Sequence, residues 1–296
     1  MIEDQVDCIV RLHDSRRLLE LERCVFSLVG QRHERVHIIL ATQRFSADEI
    51  AGVRAALAPV LAMAGAPTLT VANWESATPA DARTELLNLG LAAVTGRYVS
   101  FLDYDDTLFP EAYELLLARL KTTRAAIAFA SVRTVRADVH ADFVYVSSHP
   151  KPPFAGRGLL DLMRGNFCPI HSYLIDRARL PDGVLRFDTS LVWEEDYDLL
   201  LRICACKPAD FQALHHVIGD YYFKTDGSNS IWTDDVLSES KKIAYEQVAA
   251  RIEMRRRLTR VSLEVQRTLL DECEVDARLT LRGLLDLCAS HPDDAL

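Results

Sequence analysis

Residues 97–110 read RYVSFLDYDDTLFP, a short apolar run that ends abruptly in Asp103, Asp105 and Asp106 before Pro110. The run has the length of a buried strand and a proline suits the first turn of a helix, so the segment predicts strand, acidic turn and helix in succession. In open α/β sheets, ligands gather beyond the carboxyl ends of the strands. Three carboxylates in one turn repel one another unless a cation lies among them. The pattern is that of a site for a metal and a diphosphate. On spacing alone a second reading stands beside it, in which Asp105, Asp106 and Thr107 are turn and N-cap residues for the helix begun at Pro110.

The flanking segments predict the rest of a sheet. Residues 6–12 read as a strand, after which Ser15 caps an amphipathic helix carrying Leu18, Leu21, Val25 and Leu28 and closed by Gly30. Residues 36–41 form a second strand, Ser46 and Glu49 a capping box for a helix running towards Ala64, and residues 69–72 a third, shorter strand. Thr78-Pro79 opens a helix to about Val94, and Gly96 stops it ahead of the acidic strand. Such alternation argues for a parallel sheet with helices on both faces.

From Ala126 the period is less regular, with a strand at 126–132, a second apolar run at 143–146, a Pro-rich break at 149–153 and a helix after Gly158. An apolar segment at 172–175, a loop through Pro181 and Gly183, and a helix holding Glu195, Asp196 and Arg202 follow. A loop at 224–230 closes the sheet region. Thr233, Asp234 and Asp235 then cap a helical region with little Gly or Pro, which divides the chain into 1–232 and 233–296.

Composition narrows the function. At 296 residues with 49% hydrophobic, the chain can bury one large core plus a helical appendage. Lys+Arg 34 against Asp+Glu 43 gives a net charge of -9, which argues against nucleic-acid binding. No basic-then-apolar leader opens the sequence, and no apolar run approaches the roughly 18 residues of a spanning helix, so a soluble, cytoplasmic protein is expected. The seven Cys, an odd number in mostly apolar surroundings, read as reduced core residues. Cys204 and Cys206 lack a second pair at zinc-site spacing.

Four blocks now stand in order: IVRLHDSRRLLELERCVFSLVGQ, DARTELLNLGLAAVTGRYVSFLDYDD, NFCPIHSYLIDR, and EEDYDLLLR followed by YYFKTDGSNS. Together, over about residues 6–230, they resemble an inverting family-2 glycosyltransferase of the GT-A fold. The resemblance implies an α/β fold with a Rossmann-like, mostly parallel mixed sheet flanked by helices, here with a C-terminal helical appendage. In that family the first strand and its loop hold the nucleotide, an Asp-x-Asp element binds ribose and a divalent metal, and a later Glu-Asp pair supplies the base.

Carried over by position, Asp103 resembles the ribose-side carboxylate, also within reach of the metal, and Asp105 resembles the metal ligand. Two like charges ~4 Å apart cost about 4 kcal/mol at an effective dielectric near 20, whereas a divalent cation between them returns about 8 gross. Mn²⁺ or Mg²⁺, bound by hard oxygens, is thus the implied cofactor, and it also neutralises the departing nucleoside diphosphate. Asp196 resembles the catalytic base and Glu195 its neighbour. Without the resemblance, Glu194, Glu195, Asp196 and Asp198 would suit the first turn of a helix by the macrodipole argument. Arg11 and His13 belong to the nucleotide-holding block, and Asp81, Arg83 and Asn88 match a segment beside the donor nucleotide. His171 is placed near the acceptor or transferred sugar, with a satisfied core histidine as the alternative. Lys224, Ser228 and Ser230 are expected to donate to the diphosphate from a loop that orders on binding.

Two positions depart from the family pattern. Thr42 and Gln43 stand where an acidic residue often holds the nucleobase, which shifts base recognition to the Gln43 amide or the His13 ring. Asp226 stands near the place of a histidine that completes the metal shell, while His215 and His216 read as strand residues. Lys241, Lys242, Arg251, Arg255, Arg256, Arg257 and Arg260 stand among regularly spaced apolar residues. They suit an anionic membrane surface, or a solvated face opposite an apolar side that packs on the sheet domain or a sister subunit.

The resulting expectation is a metal-dependent, inverting, hexosyltransferase-like enzyme. It moves a sugar from a nucleotide-sugar donor to a hydroxyl of a glycan or lipid-linked glycan acceptor, and family analogy sets it in bacterial surface polysaccharide synthesis. Its expected location is the cytoplasm or the inner membrane face as a peripheral protein, with homodimer formation as a further option. A sugar-nucleotide pyrophosphorylase would want a Gly-rich basic loop after the first strand, and residues 10–19 contain no Gly. A degenerate nucleotide-sugar-binding subunit would have no need of a base such as Asp196.

Overall fold

The computed structural model describes residues 1–151, 155–225, 239–270 and 273–290. Its first half is a parallel sheet of β1 (Ile2–Leu12), β2 (Val36–Gln43), β3 (Thr68–Trp74) and β4 (Gly96–Asp103), connected by α1 (Leu18–Val29), α2 (Ala47–Leu61) and α3 (Arg83–Ala92). The central strands are apolar on both sides because helices cover both faces. Cys8, Val10 and Leu12 pack with Leu21 and Val25 of α1 and Val53 and Leu57 of α2, whereas Ile9 and Phe101 point oppositely and meet Leu87 of α3.

The second half turns the sheet into a mixed one. It contributes β5 (Thr107–Leu108), α4 (Ala112–Thr122), β6 (Ile127–Val139), β7 (Val144–Ser148), α5 (Leu159–Arg164), β8 (Tyr173–Asp176), α6 (Glu195–Cys206) and β9 (Ala209–Lys224). The order is β3-β2-β1-β4-β8-β6-β9-β5, with β7 on β6. β8 runs antiparallel to both β4 and β6, and β9 returns parallel to β6. This is the mostly parallel mixed sheet with flanking helices that the resemblance implies.

Several local expectations are corrected. Ser46 and Glu49 do form the capping box of α2, but Ser15 donates to Glu49 (2.6 Å) and α1 begins only at Leu18, without a side-chain cap. Thr78-Pro79 does not open a helix. Carbonyls of the segment before α3 are held by β2-end side chains, Ser76 by Arg44 Nε (2.6 Å) and Ala80 by Gln43 Nε2 (2.9 Å), so helical pairing is displaced to Arg83. Gly96 is no helix stop but the first residue of β4, where a Cβ would lie 2.6 Å from the Gln5 carbonyl. Asp105, Asp106 and Thr107 do not cap α4, whose N-cap is Glu111; Thr107 instead pairs with Asp220 of β9.

The C-terminal region is helical, as α7 (Glu239–Leu258), α8 (Leu263–Leu269) and α9 (Leu281–Ser290). Its Val248, Ile252, Val261, Val265, Leu281 and Leu284 are buried in one cluster with Leu162, Tyr197 and Leu200 of the sheet region. The expectation that the basic residues of 241–260 all face outward fails. Arg255 Nε donates to Asp198 (2.5 Å), Arg256 Nη2 to the Tyr197 hydroxyl (2.9 Å), and Arg251 Nη1 to the Ser190 carbonyl (2.6 Å). Asp198 is buried and therefore draws a counter-charge from α7. Arg257 does stay on the surface, paired with Glu253. The boundary expected at 232/233 lies outside the described residues. Among the described residues no helix is long and apolar enough to cross a membrane.

Candidate active site

β1 and β4 are hydrogen-bonded neighbours in register, with Arg11 beside Asp103 at their carboxyl ends. Arg11 donates from Nε (2.7 Å) and Nη2 (2.9 Å) to the two oxygens of Asp103, and from Nη1 (2.8 Å) to Glu195 at the start of α6. Burial works against the guanidinium charge, but the two carboxylates outweigh it and hold Arg11 firmly protonated.

The chain then turns sharply, the Asp106 amide donating to the Asp103 carbonyl at 3.0 Å. Asp105 meets the ammonium of Lys224 at 2.7 Å, and that ammonium also lies 5.3 Å from the Tyr104 ring centre. Burial lowers the basicity of Lys224, yet Asp105 and Tyr104 more than compensate and raise it. Asp106 is buried, accepts from the Tyr222 amide (2.9 Å) and lies 3.3 Å from His171 Nδ1. Burial, and then the charges of Asp105 and Asp103, push its carboxyl well above the usual range. His171 is buried, parallel to the Tyr221 ring, and burial takes its pKa down to about 4, so it is neutral at neutral pH.

A cavity of about 260 Å³ opens over these strand ends. Arg11, Asp103, Asp105 and Asp106 form one part of its wall, and His13, Gln43, Asp81 and Arg83 the other. Gln43 lines the cavity but is occupied: its Oε1 accepts from the Ala82 amide (3.0 Å) while its Nε2 holds the Ala80 carbonyl. Thr42 is buried and donates to Asn73 (2.9 Å). His13 stands edge-on to Tyr104, and burial lowers its pKa. Asp81 and Arg83 pair with each other at 2.7 Å. Asn88 does not face the cavity, because both ends of its amide bond the Phe187 backbone. Asp226, Ser228 and Ser230 lie outside the described residues.

α6 opens without a side-chain cap, and its N-cap residue Glu194 is left-handed at φ 60°. Its first turn holds Glu195, Asp196 and Asp198. Asp196 accepts from the Tyr197 amide at 2.7 Å, and burial first, then Glu195 and Glu194, raise its pKa to about 8. A carboxylate poised in that range suits proton acceptance at physiological pH.

The sequence reading missed Tyr221 and Tyr222, which complete the cavity wall. They sit on β9, whose pairing with β6 from Arg133–Asp220 to Ala137–Lys224 carries them and Lys224 to the acidic turn. Their proximity to Lys224 in the run DYYFK is the one local signal. On donor chemistry, Asp103 and Asp105 offer hard carboxylate oxygens of the kind a divalent cation takes, and among the described residues no group of three or more His, Cys, Asp or Glu is arranged to hold a metal ion.

Residues 15–154 match the family Glycosyl transferase family 2. A segment of 126 residues, 40% of this chain, is 29% identical to the succinoglycan biosynthesis protein ExoO of Rhizobium meliloti (strain 1021) and spans 36% of that protein. Among solved structures, S. aureus TarS 1-349 in complex with UDP-GlcNAc superposes with a TM-score of 0.61 at 14% identity, covering 88% of this chain and 69% of that one. The mannosyltransferase PcManGT of Pyrobaculum calidifontis, in complex with GDP-Man and Mn2+, gives 0.55 at 11% identity over 98% and 71%.

Proposed function

We propose, from the match of residues 15–154 to glycosyl transferase family 2, that the chain transfers a sugar, with inversion, from a nucleoside diphosphate to an acceptor hydroxyl in polysaccharide synthesis. The observation that carries the reading is that one guanidinium, that of Arg11, joins Asp103 of the acidic strand end to Glu195 beside Asp196, at the wall of a cleft that Asp105 and Asp106 also line. Structures of similar fold in complex with UDP-GlcNAc and with GDP-Man support the donor class, and the name of the curated relative supports the polysaccharide setting.

In this reading the nucleoside lies between His13 and the Asp81–Arg83 pair, and the diphosphate extends over the acidic turn. Asp103 and Asp105 would hold Mn²⁺ or Mg²⁺, which when bound supplies charge neutralisation for the diphosphate leaving group. Lys224 adds a fixed positive charge at the same turn. Asp196 takes the proton of the acceptor hydroxyl as its oxygen attacks the anomeric carbon from the face opposite the diphosphate, which yields inversion. Such a base contributes about 10²–10⁴ in rate.

The test needs no acceptor. UDP-glucose, UDP-galactose, UDP-GlcNAc and GDP-mannose are incubated with the protein and Mn²⁺, and release of nucleoside diphosphate is followed. Slow hydrolysis of at least one donor, stopped by EDTA, is expected; no turnover of any of them would contradict the reading.

A further inference from the structure

We infer that Arg11 is a positioning residue: by clamping Glu195 to Asp103 it fixes the start of α6 against the end of β4, and so sets the orientation of Asp196. This rests on the assignment of Asp196 as the base. The sequence reading makes Arg11 a nucleotide contact, yet its Nε, Nη1 and Nη2 are all turned to carboxylates 92 and 184 residues away in sequence. Side-chain exposures of 15% for Arg11 and 9% for Glu195 make this a sheltered pair, where losing one partner strands the other's charge.

The start of α6 needs such a restraint. Glu194 is left-handed, a backbone state that a residue with a side chain keeps only when its surroundings over-determine it, and no side chain caps the helix. Arg255 and Arg202 hold Asp198 on the far side of the first turn. Trp193 stacks on Tyr245 at 4.8 Å just upstream. Arg11 lines the cleft and ties Asp103 on the donor side directly to Glu195 on the base side, whereas Thr84 of α3 holds the Leu191 carbonyl further upstream. The planar fork matters here: Nε and Nη2 grip one carboxylate while Nη1 reaches another, which one lysine ammonium cannot reproduce.

The test compares full-length wild type with Arg11→Gln, Arg11→Lys, Glu195→Gln and the Arg11→Gln/Glu195→Gln double variant. Hydrogen exchange over residues 190–198 is measured without ligand, with the β4 interior as the check on folding. Each single variant should speed exchange over 190–198 to the same extent, and the double variant should add nothing. In hydrolysis of the four nucleotide sugars named above, kcat should fall about 10–100-fold, as for other residues that orient a reacting group. Donor KM should stay within about threefold, and Arg11→Lys should not rescue kcat. Unchanged exchange in Arg11→Gln, additive effects in the double variant, or a loss confined to donor KM would overturn the assignment. A wild-type protein that hydrolyses none of the donors would count against the glycosyltransferase reading instead, and the exchange data would still decide the clamp.

Discussion

Asp196 is the residue on which the proposed chemistry turns. Burial and the neighbouring Glu195 and Glu194 raise its pKa to about 8, so two pH effects follow. Only the unprotonated form accepts a proton, and the wild-type rate should climb as pH rises through about 8. Asp196→Asn should leave nucleotide binding in place, cut transfer by about two to four decades and lose that ascending limb. Stability moves the other way. A folded-state pKa raised from 3.8 means that the proton-linked stability of Asp196 is present below the ordinary carboxylate range and fades as pH rises through about 8. Asn has no proton to lose, so the variant's Tm should gain on wild type progressively between pH 5 and 9, as thermal scans would read. Equal Tm differences across that range, or transfer within a few fold of wild type, would point to another carboxylate as the base.

At the level of elements, the sequence revealed those whose burial pattern is local. β1, β2 and β4 each carry a short buried apolar core, such as Cys8-Ile9-Val10 and Ile38-Ile39-Leu40, and α2 carries its own capping box, so each was legible within a dozen residues. β9 was not. Its run ADFQALHHVIGDYYFK interrupts the strand period, and its pairing with β6 shifts register at three places, so the strand is specified by its partner. Tyr221 and Tyr222 were missed with it, and for the same reason the Arg11 clamp stays hidden among contacts between distant segments. The start of α3 slipped because Gln43 and Arg44 reach from β2 to the carbonyls that a helix beginning at Thr78 would have used. Gly96 shows the same limit: a stop signal by sequence, it is a close-approach residue in the fold. Gly96→Ala should therefore destabilise by about 1–3 kcal/mol, through a Cβ driven against the backbone of β1, with nucleotide affinity retained. Denaturant midpoints would show it; an unchanged midpoint would mean that β1 yields at no cost.

Over the whole molecule, α7 to α9 bury their apolar faces in the core shared with α5 and α6, and Arg255 and Arg256 tie α7 to the residues around the base. A chain ending at Thr225 should consequently expose that core, aggregate in light scattering and lose transfer even though the acidic turn remains. A soluble, equally heat-stable truncated protein would make the helices an independent tail. The molecule's charge frames the central claim. A chain of net charge -9 that crowds Asp103, Asp105 and Asp106 at one strand end has no electrostatic reason to bind a diphosphate by itself. Lys224 and Arg11 are already engaged with Asp105 and Asp103, and in the proposed reading a divalent cation brings the further counter-charge that the anion needs. The most direct test is calorimetric titration of UDP and GDP into the full-length protein, with Mn²⁺ and with EDTA, repeated on Asp105→Ala. Binding of at least one nucleotide that requires Mn²⁺ and disappears in Asp105→Ala is predicted; equal affinity in EDTA, or an unaffected variant, would contradict the account.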